Sequence, residues 1–515
     1  MAGQRPAAHA HPVSGSAPSW AGRRIGIGAA LGRVSMALAF AFGGLALGAG
    51  YWQVIEAPNL SRAPDDAAVI AAARNVLRGE IFDRDGNRLA WNERDANGEP
   101  YRVYASNALS GVLGYHSRQF GASGLEAAWS AELSGTVSAD PLREMIRKFQ
   151  VDPSDPQSLR TSLVLQLQEA AVAALGRNHG AIVLLHPRNG EVLALASTPT
   201  FNASGVADPV TSARIFDRLR ADDRSPLLPR ATRGLYVPGS VFKIVTSLAA
   251  LGSGAVTPQT TYANQPESEN RGWLIDGFRV QDGHHAATGA MALDFPEAVE
   301  ASCNIWFAQT GVRTGGEALA AWAGRLGFGA AIPFDLVTLP SQVTNGDGPL
   351  GGGFSDRVEL ANAAYGQAET LVTPLQMALV SATVANDGVL MRPRLVLEST
   401  GKSGVRTTNP SVLQQVVAPG VAREISAAMR LAVAGEIGQV FTAGADVRGL
   451  AVAGKSGTAE LEGGQSPHSW FIGFAPVEDP QVAIAVLVER SGGGNVKASP
   501  IAGELLRAWR DWANG

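Results

Sequence analysis

Uninterrupted apolar runs and helix-spaced ones alternate along this chain, and their order predicts an architecture. "GAIVLLHPRNGEVLALAS" sets two apolar strands on either side of Asn189-Gly190, a strong hairpin signal. "HSWFIGFAPVEDPQVAIAVLVER" repeats the arrangement around Glu478-Asp479-Pro480, and "SPIAGELLRAWRDWA" closes the chain as a helix. An amphipathic run, Leu163 to Leu175, precedes the first hairpin, and between the sheet-forming ends Ser240 to Ala434 is mostly helical in period. A sheet drawn from both ends of a domain, with helices filling the middle, is an α+β sandwich. Upstream, "RGEIFDRDGNRLAW" from Arg78 to Trp91 predicts two short strands around an Asp85-Gly86 turn, and "DPSDPQS" has the turn chemistry of a linker. The pattern divides the chain into a small first domain, residues 56–158, and a larger second one, residues 159–515.

Residues 34–55, "VSMALAFAFGGLALGAGYWQVI", carry no charge and are long enough to cross a bilayer as one helix. Arg5, Arg23, Arg24 and Arg33 precede the run with no acidic residue among them, and Tyr51 and Trp52 stand at its far end. This bias places residues 1–33 in the cytoplasm as a short tail and everything after Glu56 outside. A cleaved signal peptide is the competing reading, because Gly48-Ala49-Gly50 offers small residues for cutting; the length of the apolar run favours a retained anchor.

Composition narrows the function only by exclusion. The chain of 515 residues is 45% hydrophobic and 17% charged, as in ordinary globular proteins of two or more domains. Its 42 Lys and Arg against 46 Asp and Glu leave a net charge of −4, which argues against nucleic acid as a partner. The single Cys303 excludes an intrachain disulfide and any cysteine-based metal cluster.

The candidate chemistry begins in "YVPGSVFKIVTSLAAL", Tyr236 to Leu251. Pro238-Gly239 breaks the chain just before Ser240, which puts that hydroxyl in a first helical turn, and Lys243 follows on the same face. Ile244, Val245, Leu248, Ala249 and Leu251 make the helix apolar around most of its circumference, hence central. Burial disfavours a charged amine, so Lys243 can serve as a neutral base beside a serine nucleophile. Ser399-Thr400-Gly401-Lys402 has the same spacing, but in a polar stretch read as a loop with no apolar helix behind it. Two further stretches complete the set: Ser302-Cys303-Asn304 at the head of the apolar "IWF", and Lys455-Ser456-Gly457-Thr458 on a strand-like run. Each alone has a bland reading as a cap or a turn; the three in this order, in helix, loop and strand settings, do not.

Carried by these motifs, the chain resembles the class B penicillin-binding proteins, monofunctional D,D-transpeptidases of peptidoglycan. "RGEIFDRDGNRLA", "YVPGSVFK", "YGQAETLVTPLQMA" and "HSWFIGFAP" add to the likeness, which covers almost everything after the anchor. The resemblance implies an antiparallel sheet sandwiched by helices with a helical lobe, preceded by a non-catalytic, pedestal- or dimerisation-like domain. It implies Ser240 as nucleophile, Lys243 as base, Ser302 linked to Lys455 as proton relay and Asn304 as a holder of the substrate amide. Lys455 and Thr458 would bind the substrate carboxylate beside Ser456, Gly457 would allow close approach to the ligand, and the N–H groups of Ser240 and Thr458 would form the oxyanion hole. The implied substrates are stem peptides ending in D-Ala-D-Ala, the implied inhibitors β-lactams, and the implied partners a membrane glycan polymerase and other cell-wall proteins. No metal or cofactor is implied. Two details depart from the family pattern: Ala368 stands where glycine is common, and Cys303 fills the middle of the second motif, where it reads as a small space-filler. The alternatives are a serine β-lactamase and a catalytically idle cell-wall scaffold. The β-lactamase needs a deacylating base, and Ala318 to Val358 contains no glutamate, only Asp335, Asp347 and Asp356.

Overall fold

The computed structural model describes residues 77–135, 155–263, 271–282, 292–402 and 404–515. The expected tail and membrane anchor, residues 1–55, lie outside these; among the described residues no helix is long and apolar enough to cross a membrane. The strands that build the site and its support are β1 (Ile81–Phe82), β2 (Arg88–Arg94), β3 (Pro100–Tyr104), β4 (Ser158–Thr161), β5 (Gly180–Leu185), β6 (Val192–Thr198), β7 (Trp273–Ile275), β8 (Phe278–Val280), β9 (Val396–Gly401), β10 (Gly404–Thr407), β11 (Ala453–Ala459), β12 (His468–Ala475) and β13 (Val482–Val488). The principal helices are α1 (Leu165–Leu175), α2 (Lys243–Gly252), α3 (Phe295–Glu300), α4 (Asn304–Thr314), α5 (Arg357–Ala363), α6 (Pro374–Ala385), α7 (Pro419–Ala434) and α8 (Ala498–Ala513).

Both expected hairpins form, β5–β6 about Asn189-Gly190 and β12–β13 about Glu478-Asp479-Pro480, and β13 pairs with β5 to join them. With β11 added, the sheet runs β11-β12-β13-β5-β6. Every residue of β5, β6, β12 and β13 is buried. Their side chains alternate between two cores, because successive residues of a strand point to opposite faces. In β13, Val482, Ile484, Val486 and Val488 share a core with Leu167 and Leu175 of α1 and Leu505 of α8; Ala483, Ala485 and Leu487 belong to the core that also holds Val245 and Leu248 of α2 and Met377 and Val380 of α6. A sheet covered on both faces favours apolar residues at nearly every position, which explains the long apolar runs; the exceptions, Ser197, Thr198, His468 and Ser469, lie at strand ends. Helix α6, buried along its whole length, is mostly apolar for the same reason, and its Gln376, Ser381 and Thr383 side chains donate to Leu326 O, Gly473 O and Leu379 O. The fold is the expected α+β sandwich.

A second sheet, ordered β10-β9-β4-β1-β2-β3, joins the first segment to strands from the far side of α6. It crosses the boundary expected near Ser158, through β4 paired in parallel with β1 and antiparallel with β9. The stretch expected to be mostly helical therefore contributes strands, since pairing with a distant partner outweighs local period. The Ser399-Thr400-Gly401-Lys402 stretch, expected to be a loop, lies largely within β9: Ser399 is buried and pairs with Leu159 and Arg406. Lys402 lies past the end of β9 in a turn, its N–H donating to Asp155 Oδ1 at 3.0 Å, so the helical spacing that would put it beside Ser399 does not form.

Candidate active site

Gly239 opens a 3₁₀ turn, Gly239–Phe242, that runs directly into α2 at Lys243. Its φ of +57° lies in the left-handed region, and a Cβ there would stand 2.5 Å from the Thr458 carbonyl oxygen. On the other side a Cβ at Gly366 would collide with the Gly239 carbonyl, whose own N–H donates to Gly366 O at 2.8 Å. Glycine at both positions lets the turn carrying Ser240 press between β11 and the loop after α5. The approach to the turn is fixed as well. Tyr236 exchanges backbone bonds with Val372 at 3.0 and 2.9 Å, Trp470 Nε1 donates to Val237 O at 2.9 Å, and the Tyr236 hydroxyl donates to Glu489 Oε1 at 2.8 Å. Arg230 Nε holds the same carboxylate oxygen at 2.7 Å. Burial, with Glu489 beside it, raises the Tyr236 hydroxyl above its ordinary range and keeps it a donor.

The three motifs converge on Ser302. Lys243, fully buried, donates to Ser302 O at 2.5 Å, to Asn304 Oδ1 at 2.7 Å and to Ser302 Oγ at 3.3 Å. Lys455, 1% exposed, donates to Ser302 Oγ at 2.8 Å and to Ser456 O at 3.1 Å. Ser302 sits at φ +57°, a left-handed conformation that a non-glycine residue rarely adopts, and it turns the chain between α3 and α4. Such strain, of order 1–3 kcal/mol, is typical of functional sites. Burial lowers the Lys243 amine to about 8, opposed by the Asp282 carboxylate and the Cys303 thiol. Burial, with Lys243 as a like-charged neighbour, sends Lys455 well below the ordinary lysine range. Two buried amines around one hydroxyl cannot both hold a proton cheaply, so the site is built to lose one near neutrality.

The expected Ser240–Lys243 contact takes a different form. Ser240 is half-buried and its hydroxyl makes no hydrogen bond among the described residues, while all three Lys243 bonds run to the second motif. Both faces of the Asn304 amide are held, since Nδ2 donates to Gln281 O at 3.1 Å. Thr458 is exposed on the β11 edge and accepts from Gly494 N at 3.3 Å; Ser456 is buried. A Cβ at Gly457 would stand 2.9 Å from Pro238 O, so the close approach this glycine permits includes the chain's own first motif. Cys303 does more than fill space. It is the N-cap of α4, its sulfur accepting from Trp306 N at 3.1 Å and donating to Asp282 Oδ2 at 3.1 Å.

Sequence reading missed Asp282 and Glu489 and gave no role to Tyr236, the first residue of the YVPGSVFK stretch; all three act across the fold. The one available hint was the weak cap that cysteine offers a helix needing acceptors at its start. Among the described residues no group of acidic, histidine or cysteine side chains could hold a metal ion. A cavity of about 590 Å³ lined by Thr314, Gly315, Glu317, Gly351 and Arg357 lies at the opposite end of α4 from Asn304, apart from this chemistry.

Residues 180–507 match a family model described as the penicillin binding protein transpeptidase domain, and residues 78–155 match one described as the penicillin binding protein A dimerisation domain. The chain is 33% identical over 478 residues to peptidoglycan D,D-transpeptidase PbpA of Mycolicibacterium smegmatis, covering 88% of this chain and 94% of that one. With PbpA of Mycobacterium tuberculosis it shares 31% over 501 residues, 93% and 98% of the two chains. The crystal structure of PBPA from Mycobacterium tuberculosis superimposes with a TM-score of 0.72 at 29% identity, over 85% of this chain and 99% of that one. A penicillin G acyl-enzyme complex of that protein gives 0.72 at 30%, over 84% and 100%.

Proposed function

This chain belongs to the penicillin-binding protein transpeptidase family, and from that premise we propose how its residues divide the work. It is a serine-type peptidoglycan D,D-transpeptidase that crosslinks stem peptides through an acyl-enzyme and is acylated by β-lactams. Ser240 attacks the carbonyl of the penultimate D-Ala, Lys243 takes its proton, and the backbone N–H groups of Ser240 and Thr458 hold the oxyanion. The terminal D-Ala leaves, and an amine from a neighbouring stem peptide resolves the ester.

The observation that carries this reading is the placement of two buried amines on Ser302 Oγ. A neutral amine has two N–H donors and one lone pair. Neutral Lys243 keeps its two shorter bonds, to Ser302 O and Asn304 Oδ1, and gives up the 3.3 Å one, freeing its lone pair for a proton. Lys455, donating to Ser302 Oγ, leaves that hydroxyl's own hydrogen free to pass to the leaving amine, and the proton that Lys243 took from Ser240 replaces it. Lys455 and Thr458 at the β11 edge then meet the substrate carboxylate beside Ser456 and Gly457. A fluorescent penicillin tests the assignment: Ser240→Ala should abolish covalent labelling and Ser399→Ala should leave it intact. Labelling that survives Ser240→Ala refutes it.

The β-lactamase alternative requires a base to activate water, and two of its three candidate aspartates are engaged elsewhere. Asp335 Oδ2 accepts from Leu395 N and Val396 N at 2.6 and 3.1 Å, and Asp356 caps α5 through Val358 N and Glu359 N at 2.8 Å each.

The proposal extends to location. The uncharged run 34–55 supports a single anchor with a cytoplasmic N-terminus and the catalytic residues outside, where peptidoglycan is crosslinked. The family match over 78–155 supports a non-catalytic first domain, residues 56–158, ahead of the transpeptidase domain, residues 159–515; a membrane glycan polymerase is the partner a monofunctional transpeptidase needs. Protease treatment of intact spheroplasts should remove the catalytic domain; its full protection refutes this orientation.

A further inference from the structure

A helix start leaves backbone N–H groups without acceptors, and at α4 those acceptors come from another element. Asp282, just past β8, takes Asn304 N on Oδ1 at 2.5 Å, and Ile305 N and the Cys303 thiol on Oδ2 at 3.0 and 3.1 Å. The adjacent Gln281 carbonyl takes Asn304 Nδ2 at 3.1 Å. Two consecutive residues at one strand end therefore grip Asn304 by its backbone and by its side chain. The other end of that side chain, Oδ1, receives the Lys243 amine at 2.7 Å.

We propose that Asp282 is a positioning residue for acylation: by clamping the first turn of α4 it fixes the Asn304 and Ser302 oxygens on which the Lys243 amine rests. This deepens the reading of Ser240 and Lys243 as the acylating pair and rests on it. Truncating the carboxylate would take that acceptor from three donors at the helix start, leaving the Gln281 carbonyl alone to tie Asn304 to this strand end. A second consequence is electrostatic. The groups facing the Lys243 amine are Lys455 from β11, the Cys303 thiol from the start of α4, and Asp282 from beyond β8; the Phe307 ring of α4 lies 5.6 Å from it. Asp282 is the carboxylate among them, so its charge favours the protonated amine and its loss eases deprotonation. A cap that merely stabilised the helix would change melting without moving the pH at which the base switches on.

The test measures the acylation rate constant of the purified protein with a fluorescent penicillin from pH 6 to 10, for wild type, Asp282→Asn and Asp282→Ala, alongside thermal melting. Asp282→Asn keeps the shape and removes the charge. At the alkaline plateau it should acylate roughly tenfold or more slowly, with the midpoint moved to lower pH by roughly half a unit or more. Asp282→Ala should lose more rate, and if it fails to fold the Asn variant decides. An Asp282→Asn protein with wild-type rate and midpoint overturns the proposal. A rate that falls only in proportion to the folded fraction, with the midpoint unmoved, overturns it equally. Wild type that is not labelled at Ser240 would defeat the assignment of the nucleophile, a failure distinct from either.

Discussion

If Lys243 is the base that activates Ser240, acylation must follow the neutral fraction of its amine. Burial sets that amine at about 8, against an ordinary lysine value near 10.4. Only about a tenth of the sites are then competent at pH 7, about half at pH 8 and about nine-tenths at pH 9. The acylation rate constant should thus rise roughly tenfold across those two pH units and level off above them, where an unburied lysine would give about a hundredfold rise with no plateau. The perturbation that isolates the base is Lys243→Arg, which keeps a cation of similar reach but cannot be deprotonated. It should remove the pH dependence and cost about 10²–10⁴-fold in rate, the usual worth of one positioned base. Stopped-flow labelling with a fluorescent penicillin, over a pH series in which melting shows the protein folded, measures both. A profile flat from pH 6 to 9 in the wild type, or a Lys243→Arg protein that still rises with pH, would refute the reasoning, because the titrating group would then lie elsewhere.

Three further outcomes are expected. With Asp335 and Asp356 bound to backbone amides and Asp347 exposed, none of the three candidate aspartates is held as a buried base, so a penicilloyl adduct followed by intact-mass spectrometry should persist after free drug is removed; adduct lost within seconds while hydrolysed drug accumulates would identify a β-lactamase. Glu126 is fully buried between Arg78 and Arg102, at 2.9 and 2.6 Å; burial alone would push its carboxyl up, but Arg102 and Arg78 hold it at about 2. That depressed value contributes about 3 kcal/mol above pH 4.5, lost as pH falls toward 2, so the stability gap between wild type and Glu126→Gln in urea titrations should narrow over that window, and a gap independent of pH would contradict it. Cys303→Ala removes the thiol between Asp282 and Trp306 N and should slow acylation several-fold, whereas Cys303→Ser, which can both donate and accept, should restore it; equal rates in the two variants would return Cys303 to a filling role.

Patterns that depend on near neighbours were legible in the chain. The two hairpins follow from unbroken apolar runs around tight turns, and the central position of α2 from apolar side chains around most of its circumference, with Lys243 to Ala250 all buried. The three motifs were legible too, because serine and lysine one turn apart are set by local geometry, and the residue types of Lys455-Ser456-Gly457-Thr458 read as a strand without reference to the rest of the chain. What was not legible lies between segments far apart in sequence. Helical period in the middle of the chain gave no sign that Val396–Gly401 would pair with Ser158–Thr161, since a strand edge is satisfied by whichever partner the fold delivers. Nor could spacing show that the Lys243 hydrogen bonds would all run to Ser302 and Asn304, some sixty positions away, rather than to Ser240. Asp282 is the clearest case: 22 residues before Asn304, on a different element, it becomes part of the site only when the β7–β8 hairpin packs against the start of α4. Residue types and their local order decide which chemistry is available to a chain; which groups share a proton depends on distances of about 3 Å, and those are set where separate elements meet in the folded core.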